Sequence, residues 1–77
     1  MKNLLEYIII HLVQHPEDVT IEERAEEDGS VEFLVTVNAE DRGRVIGRHG
    51  NVIQAIRSIA KVRAVKEQIR VRITLVE

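Results

Sequence analysis

The apolar residues of this chain recur with two periods, and each stretch of constant period implies one element. Leu4, Leu5, Ile8, Ile9, Leu12 and Val13 return at helical spacing, with Glu6 and Gln14 among the polar positions, which predicts a first helix. Pro16 disfavours helix at His15 and closes the segment. Val19, Ile21 and Ala25 then alternate with Thr20, Glu22, Arg24 and Glu26, the period of a half-buried strand. Asp28-Gly29 is a two-residue hairpin signal, because both positions tolerate the positive φ of a type I′ turn. A second strand carries Val31, Phe33, Val35 and Val37 on one face and Leu34 on the other.

Residues 39–46 are short and mixed, with Glu40 and Asp41 early and Arg44 late, as a helix dipole favours. Gly43 weakens that helix, so its presence implies close packing or close approach of a ligand. Farther on, Val52, Ile53, Ile56, Ile59, Ala60 and Arg63 mark an amphipathic helix, and Arg57 and Lys61 lie four apart on its more polar side. The last strand turns Ile69, Val71, Ile73 and Leu75 inward and Arg70, Arg72 and Thr74 outward. The predicted order is helix, strand, strand, helix, glycine loop, helix, strand. A hairpin makes the first two strands antiparallel, and the long link through two helices makes the second and third parallel. The expected fold is α+β: a three-stranded mixed sheet, strand 31–37 central, with the helices packed on one face.

Length and composition narrow the setting. Seventy-seven residues make one domain, near the lower end of what one core stabilises without staples. There is no cysteine, hence no disulfide framework and no thiolate metal site. The apolar run Leu4–Val13 is about half the length that spans a bilayer. It also lacks the basic start and small-residue cleavage site of a secretory signal, so the expected location is cytoplasmic, without membrane contact. The net charge of −2 conceals a division. Residues 1–40 carry two basic and ten acidic side chains, residues 41–77 nine basic and three acidic, giving −8 and +6. A polyanion is drawn to the second half and repelled by the first, which orients its approach.

The chemistry concentrates in Val45-Ile46-Gly47-Arg48-His49-Gly50. Two glycines three apart let the backbone turn sharply and approach another backbone, and the first turn of the next helix offers N–H groups to an anion. Arg48 and His49 project from the tip toward phosphate. The glycines fail the Walker pattern, which ends in Gly-Lys-Ser/Thr, and the dinucleotide fingerprint, which would need glycine at Val45. No nucleophile sits beside a base: Ser30 is in a hairpin turn and Ser58 in a helix. His11 and His15, four apart on a helix, have no third metal ligand arranged with them. We therefore expect no catalytic residues, no metal and no cofactor. Tyr7 and Phe33 are the only aromatic residues, and Phe33 is in core phase, which disfavours recognition by base-stacking platforms.

With these residues in hand, the run Asp41-Arg42-Gly43-Arg44-Val45-Ile46-Gly47-Arg48-His49-Gly50 followed by Ala55-Ile56-Arg57 resembles the core of a bacterial KH domain. The element order resembles the type II arrangement, αββααβ, and the length resembles the small single-domain KhpA group. The resemblance implies a single KH domain over 1–77, with its core motif at about 31–75 and an N-terminal helix and strand extension at 1–27. It also implies a cleft over the glycine loop holding about four unpaired nucleotides. Gly47 and Gly50 would allow the backbone approach, and Arg48 and His49 would contact phosphate or sugar. The family loop more often holds lysine and a polar residue such as glutamine; Arg48 keeps the basic character, while His49 departs from it and makes the loop's charge pH-dependent. Val45, Ile46 and Ile53 are candidates for an apolar floor and equally for the core. Arg42 and Arg44 widen the positive rim. Arg57 matches a family-typical arginine, with an ion pair to Asp41 as its structural alternative, while Arg70 and Arg72 are placed on the open sheet face, away from the cleft.

The function expected on these grounds is non-catalytic binding of single-stranded RNA, as an RNA chaperone or post-transcriptional adaptor. The resemblance implies as partner a homodimer or a heterodimer with a second KH-containing RNA-binding protein. The rival expectation is a protein-interaction module without RNA affinity, docking through its acidic half.

Overall fold

The computed structural model describes residues 1–76. The chain forms α1 (Lys2–Ile10), β1 (Thr20–Ala25), β2 (Val31–Thr36), α2 (Arg42–Ile46), α3 (Asn51–Glu67) and β3 (Val71–Leu75), with 3-10 turns at Pro16–Asp18, Ala39–Asp41 and Arg48–Gly50. β1 runs antiparallel to β2, with Thr20 opposite Thr36 and Ala25 opposite Val31. β2 runs parallel to β3, with Val31 beside Val71 and Val35 beside Leu75. The sheet order β1-β2-β3 puts β2 in the centre. This is the mixed three-stranded sheet and αββααβ order of a type II KH fold.

One apolar cluster joins the helices to the inward side of the sheet. Leu5 and Ile9 of α1, Val45 of α2, and Ile53, Ile56 and Ala60 of α3 meet Ile21, Phe33, Val35, Val37 and Ile73. Phe33 is the largest fully buried side chain and sits on the central strand. On the opposite side, Glu32 accepts a hydrogen bond from Thr74 Oγ1 at 2.8 Å and lies 3.6 Å from Arg72 Nε. Leu34, half-buried, shares that outer side.

Three local expectations differ from what the chain does. α1 ends at Ile10 although its apolar period continues; Leu12 and Val13 still pack on the core, but from a turn. The backbone N–H groups of Gln14 and His15 donate to the Asp41 carboxylate instead of continuing a helix. The hairpin is not a two-residue type I′ turn. Glu26 N–H donates to the Ser30 carbonyl and Gly29 N–H to the Glu26 carbonyl, and in the turn only Gly29 has positive φ, at 89°. Asp28 instead accepts from the Ser30 N–H at 2.9 Å and the Ser30 hydroxyl at 2.6 Å. That side-chain turn stabilises the longer loop. Finally, Ala25 and Ile59 are exposed, where the alternation and helical period predicted burial. α3 turns Ile53, Ile56, Ala60 and Ala64 inward, a phase that leaves Ile59, Val62 and Val65 exposed at 48%, 65% and 68%.

Candidate functional site

The glycine loop is built by two helices that meet end to start. α2 has five residues, and its last turn closes with Gly47 N–H donating to the Gly43 carbonyl at 2.8 Å. Gly47 then takes φ 77° and ψ 173°, a region open essentially to glycine. His49 is left-handed at φ 55°, and Gly50 at φ 76° hands the chain to α3 with no side chain capping that helix. A Cβ on Gly47 would lie 2.7 Å from the backbone nitrogen of Val52, so this glycine also allows a close backbone approach. Gly43 behaves differently: a Cβ there would meet nothing within 4 Å, so close packing is not its reason.

The sequence-derived residues divide into three groups. Arg44, Ile46, Arg48 and His49 are exposed on and beside the loop, and Arg42, Gly47 and Gly50 are half-buried there. Val45 and Ile53 belong to the core, so surface apolar contact beside the loop falls to Ile46, which is 38% exposed. Arg57, two turns along α3, does not pair with Asp41. Its Nε and Nη2 donate to the Ile73 carbonyl on the outer edge of β3, at 3.3 and 3.1 Å.

That contact adjoins a feature that the pattern of residues does not announce. Between α3 and the edge of β3 runs a groove of about 500 Å³, with Ala60, Ala64 and Ile73 among its apolar lining. Arg57, Lys61, Arg70 and Arg72 are the charged residues of its lining, all basic. Arg70 and Arg72 line that groove, and Arg72 also reaches Glu32 on the outer side of the sheet, the face on which the alternation of β3 places both. The signal available in the sequence was the Arg57/Lys61 pair together with an edge position for the last strand.

Asp41, at the start of α2, is the buried charged residue of the described chain, 1% exposed. Its carboxyl lies below the ordinary aspartate value, chiefly because the Gln14 N–H bonds to it. Burial opposes that effect, and the His15 N–H and the charges of His15 and Arg44 add to it. Among the described residues, His15, Glu17 and Asp18 form one trio whose ligand atoms come within 4.8 Å of one another. Asp18 already accepts a bond from Asn38 Nδ2 at 2.9 Å, and His15 Nε2 lies 3.4 Å from Glu40, so these side chains join two turns. His11 turns away, with Nδ1 2.7 Å from the Tyr7 carbonyl.

Comparison with known proteins places the chain among relatives of known family. The sequence profile described as "KhpA/KhpB, KH domain" matches residues 2–75. The chain is 38% identical over 78 residues to RNA-binding protein KhpA of Halalkalibacterium halodurans, with both proteins covered completely. It is 40% identical over 76 residues to RNA-binding protein KhpA of Clostridium perfringens, covering 99% of this chain and 100% of that protein. The corresponding protein of Listeria monocytogenes is 38% identical over 77 residues, with both again covered completely. No solved structure matches the chain significantly. No helix among the described residues is long and apolar enough to cross a membrane.

Proposed function

The chain belongs to the KhpA/KhpB family of KH domains, and on that premise we propose that it binds single-stranded RNA, without catalysis, through the Gly47–Gly50 loop. The observation that carries this reading is the loop itself. Positive-φ residues at 47, 49 and 50 turn the chain between two helices and leave Arg48 and His49 exposed at its tip. A phosphate approaching that tip meets the Arg48 guanidinium, the His49 ring and the opening turn of α3. The bases then lie toward the groove between α3 and β3, where Arg57 and Lys61 flank an apolar floor. Ile46 supplies the exposed apolar contact next to the loop. The whole of 1–77 acts as one KH domain, cytoplasmic in setting, with 31–75 as its core and 1–27 as the extension that buttresses it.

One loop makes few phosphate contacts, so the isolated domain binds weakly, at micromolar dissociation constants or above. With roughly three phosphates neutralised, log K against log salt should fall with a slope of about −2. Measuring the affinity of a short unstructured RNA across a salt series tests this. A slope near zero would remove the phosphate clamp.

Useful affinity requires a second RNA-binding surface. We place it on a second copy of the chain, brought in by the exposed Ile59, Val62 and Val65 of α3; a second KH-containing protein on the same face is the heterodimer form. Sedimentation of the wild type and Val62→Glu tests the homodimer, and only monomer in the wild type at high concentration would weaken that form. Such weak, low-information binding suits an RNA chaperone or post-transcriptional adaptor. A second reading, a protein-interaction module without RNA affinity, draws on the exposed carboxylates Glu22, Glu23, Glu27 and Asp28 at the hairpin. It predicts no RNA binding at any salt concentration.

A further inference from the structure

Asp41 is a buried carboxylate, and its partners are far away in sequence. Its Oδ1 accepts the N–H of Gln14 and its Oδ2 the N–H of His15, each at 3.0 Å, across 27 and 26 residues. A carboxylate has only acceptor atoms and is costly to bury without donors. Gln14 and His15 supply them because the chain has left α1 by this point, and Pro16 has no N–H to offer. Two further contacts join the same segments: Asn38 to Asp18 at 2.9 Å, and His15 to Glu40 at 3.4 Å. The turn at 14–18 is thus braced against residues 38–41 at three points.

The brace matters because Asp41 leads directly into the helix that carries the loop. α2 begins at the next residue, is five residues long, and ends where the glycine loop starts. A helix that short cannot hold its own geometry in water. Its position comes from its ends and its buried side chain: Val45 in the core, and Asp41 fixed to the N-terminal turn. A shift of Asp41 moves the entry of the loop, and Gly47 has little room to absorb it, given its close approach to Val52.

We propose that Asp41 is a positioning residue for the glycine loop, holding α2 in the register that RNA binding requires by tying it to the turn at Gln14–Asp18. The proposal rests on the loop being the RNA site. It gives the N-terminal extension a role in binding through the brace to Asp41.

The test compares wild type, Asp41→Asn and Arg48→Asp/His49→Asp by amide NMR, free and with a short unstructured RNA, alongside thermal melting. The asparagine side chain keeps one acceptor oxygen and loses the other. Asp41→Asn should remain folded, displace the resonances of Gly47–Gly50 in the free protein, and weaken RNA binding by roughly tenfold, the order a misplaced site costs. A lower melting temperature with unmoved loop resonances, or with affinity within about twofold of wild type, would overturn the positioning role and leave a structural one. If Asp41→Asn does not fold, Asp18→Ala loosens the same brace from an exposed position, by removing the acceptor of Asn38 Nδ2, and must show the same two effects, smaller in size. Wild type that shows no loop shifts with RNA would retire RNA binding through this loop, whereas the free-protein comparison of Gly47–Gly50 decides loop positioning separately.

Discussion

Gly47 and Val52 approach so closely that any side chain at position 47 would collide with the first turn of α3. The backbone of Gly47, at φ 77° and ψ 173°, adds a conformational reason for glycine. Gly50 shares the positive φ, at 76°, but a Cβ there would meet nothing within 4 Å. The two glycines should therefore respond differently. Gly47→Ala should cost about 2 kcal/mol or more, combining strain and collision. Gly50→Ala should cost about 1 kcal/mol, the penalty for a left-handed alanine. Urea denaturation of both variants checks the order, and equal losses would contradict it.

Gln68 closes α3 in a left-handed conformation at φ 58°. Its N–H donates to the Val65 carbonyl and that of Ile69 to the Ala64 carbonyl, the pairing of a C-terminal cap that usually holds glycine at this position. Gln68→Gly should stabilise the protein by about 0.5–1 kcal/mol, with RNA binding unchanged. A thermal melt reads it.

The acid limb of stability should carry the mark of Asp41. Its folded-state carboxyl lies below the ordinary value of 3.8, first through the Gln14 N–H. On acidification the unfolded chain therefore takes up this proton before the folded one does. The stabilisation is complete above about pH 4 and is lost as the pH falls through the lower folded value. Asp28, held low chiefly by the Ser30 hydroxyl, contributes in the same sense and direction. Unfolding followed between about pH 2 and 5 should show a shallower loss in Asp41→Asn than in wild type. Superimposable curves would contradict the assignment.

Arg57 joins α3 to the edge of β3 by its bond to the Ile73 carbonyl. Because that carbonyl lies on the free edge of β3, water can replace the guanidinium. Arg57→Ala should cost less than about 1 kcal/mol of stability. It should nevertheless weaken RNA binding several-fold, since it removes a cation from the groove's rim. Paired melting and RNA titration measure both.

Much of the architecture was legible because its signals are local. The alternation of Val31, Phe33 and Val35, the period of Ile53, Ile56 and Ala60, and the Gly47–Gly50 spacing each report on their own segment. What the sequence concealed depends on distant contacts. After α1 ends, Gln14 and His15 bond to Asp41, more than twenty residues away, a partner no local signal reports. The outward turn of Ile59 reflects which of two apolar stripes on α3 the sheet accepts, and α3 carries both. Arg57 found a backbone carbonyl on the last strand instead of Asp41, a choice visible only once β3 occupies the sheet edge. The same placement brings Arg70 and Arg72 to the groove. Asp28 likewise had a partner in Ser30 that a turn dipeptide alone does not announce.

The central claim is tested most directly by titrating a short unstructured RNA into isotope-labelled protein and mapping amide shifts in wild type and in Arg48→Asp/His49→Asp. Both substitutions are at exposed positions and keep both glycines, so the fold should persist while the charge of the loop reverses. The expected result is shifts centred on Gly47–Ile53 in wild type that disappear in the folded variant. Equal shifts in both proteins, or none in wild type, would contradict binding through this loop.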